Sequence, residues 1–286
     1  MRKVGRAIAA VLAFVFGYFA YVYLTLPDVR PLRAANPETT AFIELRLREA
    51  RARDAEPRRV QRWVPYGRIS QHLKRAVLVT EDSAFWQHDG LDYQQIRESI
   101  EVNLERREFA RGASTITQQL AKNLYLSPSK NPVRKLRELL IARRLEAELP
   151  KQRILEIYLN VIEWGDGIYG AEAAARSYFG KSAGQLSAPE GALLAAAIAN
   201  PRVMNPGNPT ARLRRRQQMV LRRMGWVEPP PVLVAEPLET APVAPLPSLP
   251  PATTPAQLPG EITPIQPVPP LKPPGGTGGR GGPGHQ

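Results

Sequence analysis

From Ala7 to Pro27 the chain carries no charged side chain, and Arg2, Lys3 and Arg6 stand just before this run. Such a length matches the roughly 20 apolar residues a helix needs to cross the hydrocarbon layer of a bilayer. Tyr18, Phe19, Tyr21 and Tyr23 cluster toward one end, where amphipathic rings favour the membrane interface, while a basic end stays in the cytoplasm. The sequence therefore predicts a cytoplasmic N-terminus over 1–7, a transmembrane helix over 8–26 and all later residues outside the cytoplasm. A cleaved signal peptide is the competing reading; the apolar run is long for one, and no small-x-small cleavage site follows it.

The other end of the chain cannot build a core. From Val227 onward it holds 18 of the 30 prolines and finishes in a glycine-rich run. That composition predicts an extended, disordered Pro/Gly-rich tail over 227–286, acting as a spacer or as an arm for partner proteins. What folds lies between the two ends. Residues 1–226 carry 37 basic against 22 acidic side chains, an excess that suits anionic lipid, a phosphorylated substrate or nucleic acid. Placement outside the cytoplasm removes nucleic acid. No cysteine is present, which excludes disulfides, thiolate metal sites and thiol nucleophiles. Three histidines (His72, His88 and His285) are too few for a multi-histidine metal site. Any catalysis falls to carboxylates.

Residues 27–62 are Arg-rich with scattered acids and read as a juxtamembrane spacer or a solvated helix near anionic headgroups. The compact domain is predicted over 63–226, from Trp63-Val-Pro-Tyr-Gly onward. No stretch alternates apolar and polar residues as a half-buried strand does, so the fold class is all-α. A helix over about Ser70–Thr80 leaves Glu81 at its C-terminal end. Asp92 and Gln95 have capping-box spacing, and Leu91 and Ile96 can staple the next helix. Asn131-Pro132 opens another. Ser187 and Glu190 cap a last core helix ending before Asn200-Pro201, and Pro209 starts a basic helix that Gly225 stops.

Three places on this scaffold can carry chemistry. Glu81 and Asp82 are adjacent acids at a helix end, read either as a solvated cap or as a general base facing a groove. The helix dipole and the Asp82 charge would both raise the Glu81 pKa. Next, Gly112 leads Ser114 and Thr115 into a helix, with Thr115 and Gln118 again at capping-box spacing. The free amides of that first turn, with Lys122 one to two turns on, form an anion site or simply an ordinary capped helix. Finally, Glu138 shares a helix strip with Ala142, Leu145 and Leu149, and Arg134 and Lys135 lie within reach one turn before it. That is either a partly buried ion pair or a second active-site carboxylate among cations, suited to a phosphorylated leaving group. Along Arg153, Glu156 and Asn160 a polar edge reads as structural.

Together the blocks resemble a known family. Glu-Asp-x-x-Phe-x-x-His-x-Gly (81–90), Gly-x-Ser-Thr-Ile-Thr-Gln-Gln (112–119), Arg-Lys-x-x-Glu (134–138) and Arg-Ile-Leu-Glu-x-Tyr-Leu-Asn (153–160) occur in that order. The series, over about 63–224, is similar to the peptidoglycan glycosyltransferase family. The Trp63-Val-Pro-Tyr lead-in and the lack of a transpeptidase domain point to its monofunctional branch. The resemblance implies a lysozyme-like helical glycosyltransferase domain that polymerises lipid II into β-1,4-linked glycan with inversion at the anomeric carbon, on the periplasmic side of the cytoplasmic membrane. Carried over, Glu81 is the base that deprotonates the acceptor hydroxyl, and Glu138 acts on the leaving-group side. Asp82, Gly112, Ser114, Thr115, Gln118, Gln119, Lys122, Arg134 and Lys135 form the substrate-binding set, and Asp82, with His88 and Gly90, reads mainly as the frame that sets Glu81 at the groove.

The implied partners are lipid II, the growing glycan strand and the bilayer, with division or wall-synthesis proteins at the tail. No cofactor is firmly implied; a divalent cation, magnesium or manganese, travelling with the substrate diphosphate stays open. Leu124, Tyr125 and Leu126 are either a lipid-binding jaw or core packing. A lysozyme-like or lytic glycan-cleaving enzyme and a non-catalytic wall-synthesis scaffold are the rival readings.

Overall fold

A computed structural model describes residues 2–106, 114–129 and 131–225. The tail expected over 227–286 and the site residue Gly112 lie outside the described residues.

Helix α1 (Arg2–Leu24) is 23 residues long, and most of its large apolar side chains, Phe14 and Phe16 among them, face away from the protein. At ~1.5 Å per residue it reaches ~34 Å, enough to cross a ~30 Å hydrocarbon layer. Arg144 donates to the Tyr23 and Leu26 oxygens and stacks on the Tyr23 ring, and Arg137 donates to the Thr25 oxygen at 3.0 Å. Cations thus close the negative end of the helix dipole.

The stretch 27–62, expected as a spacer, is instead packed into the folded body. Val29, Leu32 and Ile43 are buried, and helix α2 (Ala41–Arg51) begins at a Thr40 cap whose hydroxyl accepts the Ile43 amide hydrogen at 3.1 Å. Arg153 clamps the segment before it by donating to the oxygens of Leu32 and Ala35. A few apolar residues among many arginines give little periodicity, yet they suffice to seat the segment.

Eight further helices follow among the described residues: α3 (Gln71–Glu81), α4 (Tyr93–Arg106), α5 (Ile116–Tyr125), α6 (Pro132–Glu148), α7 (Lys151–Val161), α8 (Ala171–Phe179), α9 (Ala188–Ala197) and α10 (Ala211–Arg223). Their starts follow the capping logic of the sequence. Ser70, Thr115, Asn131, Ser187 and Thr210 each accept an amide hydrogen from the first turn. Helix α9 ends at Ala197, and Gly225 closes the turn after α10 at φ +66°.

The fold is mainly helical, with one correction. Strands β1 (Val60–Gln61), β2 (Glu163–Gly165) and β3 (Ile168–Tyr169) form a sheet in the order β1-β3-β2, parallel between β1 and β3 and antiparallel between β3 and β2. Two- and three-residue strands are too short to show a period of two, and β2 and β3 are buried throughout. Gly170 carries the chain out of this sheet at φ +83°, where a Cβ would stand 2.7 Å from the Asn160 oxygen.

Two packings position the site. Helix α5 lies against α6 and α7 through Leu120, Ala121, Ile141, Leu145, Ile154 and Leu155, all fully buried. Helix α3 lies against α9 so closely that a Cβ on Gly191 would meet the Leu73 amide nitrogen at 2.9 Å. Leu124 and Leu126 belong to the buried core with Tyr125 packed on it, so in this conformation they are packing residues, not an exposed jaw.

Candidate active site

Glu81 is the last residue of α3, and its half-buried carboxylate meets α5. Gln119 Nε2 donates to Glu81 Oε2 at 2.9 Å, and the hydroxyl of fully buried Tyr158, from α7, donates to Gln119 Oε1 at 2.9 Å. An amide that accepts at its oxygen must present its NH2 to Glu81, so Tyr158 fixes the orientation of Gln119. Burial pushes the Glu81 carboxyl up. The Gln119 bond and the charges of Arg216 and Lys122 pull it back, and Asp82 adds only a small upward push. The expected direction therefore holds with a different leading cause: desolvation dominates, because the Asp82 charge is engaged elsewhere.

Asp82 is buried. His88 Nε2 lies 3.0 and 3.1 Å from its two oxygens, and the Ile116 amide donates to Oδ2 at 2.9 Å. Since His88 Nδ1 accepts the Gly90 amide hydrogen at 3.1 Å, Nε2 carries the proton that meets Asp82. Thr115 completes the brace by donating its hydroxyl to the Gly90 oxygen at 2.7 Å.

These bonds revise the expected anion site at the start of α5. Its leading amide is already taken by Asp82, and Thr115 and Gln118 cap each other reciprocally while fully buried. Asp82, Thr115 and Gln118 join α5 to the end of α3 here, and Asp82, with His88 and Gly90, forms the expected frame for Glu81. Spacing alone cannot separate the two roles, because a capping box and an anion cradle use the same residue types.

The cations gather on the other side. Glu138 on α6 is 3% exposed; Arg134 Nη1 donates to Oε2 at 2.6 Å, and Lys135 Nζ donates to Oε1. Lys135 also reaches the exposed Ser114 hydroxyl at 3.3 Å, which ties the entry of α5 to this cluster. Lys122, one helical turn beyond Gln119, makes no ion pair or side-chain hydrogen bond among the described residues. Burial lowers its pKa most, with Arg134 and Lys135 adding to that, while Glu138 and Glu81 pull it back up. Lys122 thus feels both carboxylates. Beside it a groove of about 280 Å³ runs past Gln119, Asn123, Tyr158, Arg46 and Asn200.

Sequence reasoning missed Tyr158, although it stands in the fourth motif; nothing local marks it as the group that orients Gln119. It also missed Arg216, whose Nε donates to the Ala196 oxygen at 3.1 Å while its charge acts on Glu81. Arg153, Glu156 and Asn160 are structural: Arg153 pairs with Glu156, which accepts the Tyr66 amide hydrogen, and Asn160 bonds Val64 in both directions.

Both Glu138 oxygens are held by cations, and no cluster of three His, Asp or Glu side chains suited to a metal occurs among the described residues. The arrangement offers a carboxylate biased toward taking a proton, and two cations, Arg134 and Lys135, held by Glu138 where they can stabilise departing negative charge.

Comparison with known proteins matches residues 49–225 to the transglycosylase family. The chain is 47% identical to a biosynthetic peptidoglycan transglycosylase of Herminiimonas arsenicoxydans, over 68% of this chain and 84% of that protein. It is 45% identical to the protein of that name from Laribacter hongkongensis, over 80% of this chain and 100% of the relative. With the one from Nitrosomonas eutropha it shares 48% identity, over 67% of this chain and 79% of that protein.

Proposed function

The chain belongs to the transglycosylase family, and from that membership together with the site we infer the reaction and the part each residue plays in it. It is a peptidoglycan glycosyltransferase of cell-wall synthesis, acting on lipid II and the growing glycan strand. The observation that carries the assignment of roles is Glu81, raised by burial and held by Gln119, with Lys122 under the charge of both Glu81 and Glu138.

The acceptor sugar's 4-hydroxyl gives its proton to Glu81 as its oxygen bonds to the anomeric carbon of the donor. The bond from that carbon to the diphosphate breaks, and undecaprenyl diphosphate leaves with the electron pair. Attack from the face opposite the leaving group turns an α-linkage into a β-linkage. Lys122, Arg134 and Lys135 meet the negative charge that builds on the diphosphate. Arg134 and Lys135 are held by Glu138 before the reaction, so little reorganisation of these two is needed as charge develops. Glu138 keeps Arg134 and Lys135 aimed and spaced. Ser114 is held by Lys135, and Gln119 lines the groove beside Lys122.

One N-terminal apolar helix is present, consistent with a single-pass membrane anchor. The orientation we adopt places Arg2, Lys3 and Arg6 in the cytoplasm and the enzyme domain outside, where the lipid-linked substrate presents its sugars. Incubating the full-length enzyme with lipid II and, separately, with mature glycan tests the reading. Long polymer from lipid II with no cleavage of mature glycan is expected; shortening of mature glycan without polymer would overturn it.

A further inference from the structure

At the far end of α3 from Glu81 lies a second groove, of about 580 Å³. Helix α3 has 11 residues, so at ~1.5 Å per residue the groove is separated from the catalytic carboxylate by ~16 Å of helix. Trp63, Val64 and Pro65 give it an apolar lining, and Arg62, Arg68, Arg176 and Gln185 line it as well. The volume is in the range of ligand sites.

The charges around it do not balance. Glu172 is the acid in the lining, and both its oxygens are occupied: Arg176 Nε donates to one at 2.7 Å and the Ala183 amide to the other at 2.7 Å. Arg62 and Arg68 are exposed and have no ion-pair partner among the described residues. Two guanidiniums therefore face solvent beside an apolar lining. Trp63 is held in place because Arg153 stacks on its ring at 5.4 Å. Planar guanidinium forks recognise carboxylates through paired hydrogen bonds, and a fixed indole beside them offers a stacking or packing surface.

We propose that this groove is an exosite that holds the carboxylate-bearing peptide stems of the nascent glycan strand. The proposal rests on the glycosyltransferase reading, because that activity produces an anionic peptide-bearing polymer at the surface of this same domain. A strand held both at the catalytic carboxylate and at this groove rebinds before it escapes, since tethering raises the local concentration of the second contact. Arg62 and Arg68 then govern strand length and not the chemical step.

The test uses the full-length enzyme in detergent micelles and a soluble fluorescent disaccharide-pentapeptide, with its carboxylates either free or blocked as amides. Wild type is expected to bind the free acid, and to bind the blocked probe about tenfold more weakly or worse. In the Arg62→Ala/Arg68→Ala variant the free acid should weaken similarly, while Arg62→Lys/Arg68→Lys keeps part of the affinity. Lipid II consumption by the alanine variant should match wild type in initial rate, with shorter product strands. Equal binding of both probes, undiminished binding by the alanine variant, or unchanged strand length would overturn the proposal. A glutamate-rich peptide that binds as tightly as the muropeptide would overturn it too, by assigning the groove to an acidic partner protein. Failure of wild type to polymerise lipid II would instead sink the parent reading, and the binding comparison would still report on the groove.

Discussion

Asp82 Oδ2 accepts the Ile116 amide hydrogen at 2.9 Å, so the first turn of α5 is closed by an anion from the end of α3. Because Asp82 follows Glu81 directly and Gln119 lies within the first turn after Ile116, this one bond fixes how the base meets its hydrogen-bond donor. The helix dipole favours a negative group at this position, and burial removes the competition of water. His88 holds the second face of the same carboxylate.

Replacing Asp82 by Asn keeps the size and one acceptor but removes the charge. Expected is a loss of about 2–3 kcal/mol in unfolding free energy, the usual cost when buried donors lose an ionised acceptor. Polymerisation should fall mainly in kcat, since Glu81 loses its register with Gln119. Denaturant melts beside steady-state kinetics check both; a variant with wild-type stability and only a raised KM would return Asp82 to the substrate-binding set.

Glu138→Gln leaves the Arg134 guanidinium, 17% exposed, without its counter-charge, while Lys135 at 43% is better solvated. Removing one partner of a fully buried pair costs about 3–5 kcal/mol, so partial exposure here argues for ~2 kcal/mol. Activity should fall less than in Glu81→Gln, where loss of a base costs ~10²–10⁴-fold. Side-by-side lipid II assays of the two variants decide the ranking, and the reverse order would exchange the roles given to the two carboxylates.

Helix starts and the Glu138 cluster were legible because they are local: a cap and its third residue, or a charge and its i−4 partner, stand close in sequence. What was not legible depends on contacts across the chain. Tyr158 reaches Gln119 from 39 residues away, and Arg153 seats Ala35 from 118. The short sheet joins Val60 to Ile168, which no periodicity could announce. The first turn of α5 reads equally as an anion site or as a capped helix, and the structure puts Asp82 on its leading amide. Free amides at a helix start look alike in sequence whether substrate or Asp82 fills them.

At Gly191 helix α9 comes so near α3 that the Leu73 amide nitrogen stands 2.9 Å from where a Cβ would be. Gly191→Ala must part the two helices or shift their backbones, and overpacking of this kind costs about 1–3 kcal/mol. Since α3 ends in Glu81, the pH dependence of activity should move as well. Thermal melts combined with a pH–rate profile test this; a variant as stable as wild type would mean the contact is slack.

Gln119→Leu separates the base from its donor. The Gln119 bond favours the ionised form of Glu81 and is the largest of the effects opposing burial. Without it the Glu81 pKa rises further, so the acid limb of kcat/KM should shift to higher pH while the alkaline plateau falls by less than about tenfold. Tyr158→Phe, which frees the Gln119 amide to turn over, should shift the limb the same way by a smaller amount. A limb that stays in place in both variants would remove Glu81 as the titrating base.

Glu81→Gln carries the most discriminating expectation, because stability and activity should move in opposite directions. Burial raises the folded-state pKa of Glu81 above its unfolded value. Between those two values the folded protein still holds a proton that the unfolded chain has released, so stability falls as pH rises through that interval. Above it, wild type bears the full cost of an ionised carboxylate in a partly dry site. A glutamine does not, and its side-chain oxygen still accepts the Gln119 hydrogen bond. The variant should therefore melt a few degrees above wild type at neutral pH, and the gap should close below the ordinary glutamate pKa of about 4.3. Melting curves across that range, with polymerisation measured on the same samples, test the assignment. A variant that lost activity but melted no higher than wild type at neutral pH would show that Glu81 is not held at the expense of stability, and that its burial has another origin.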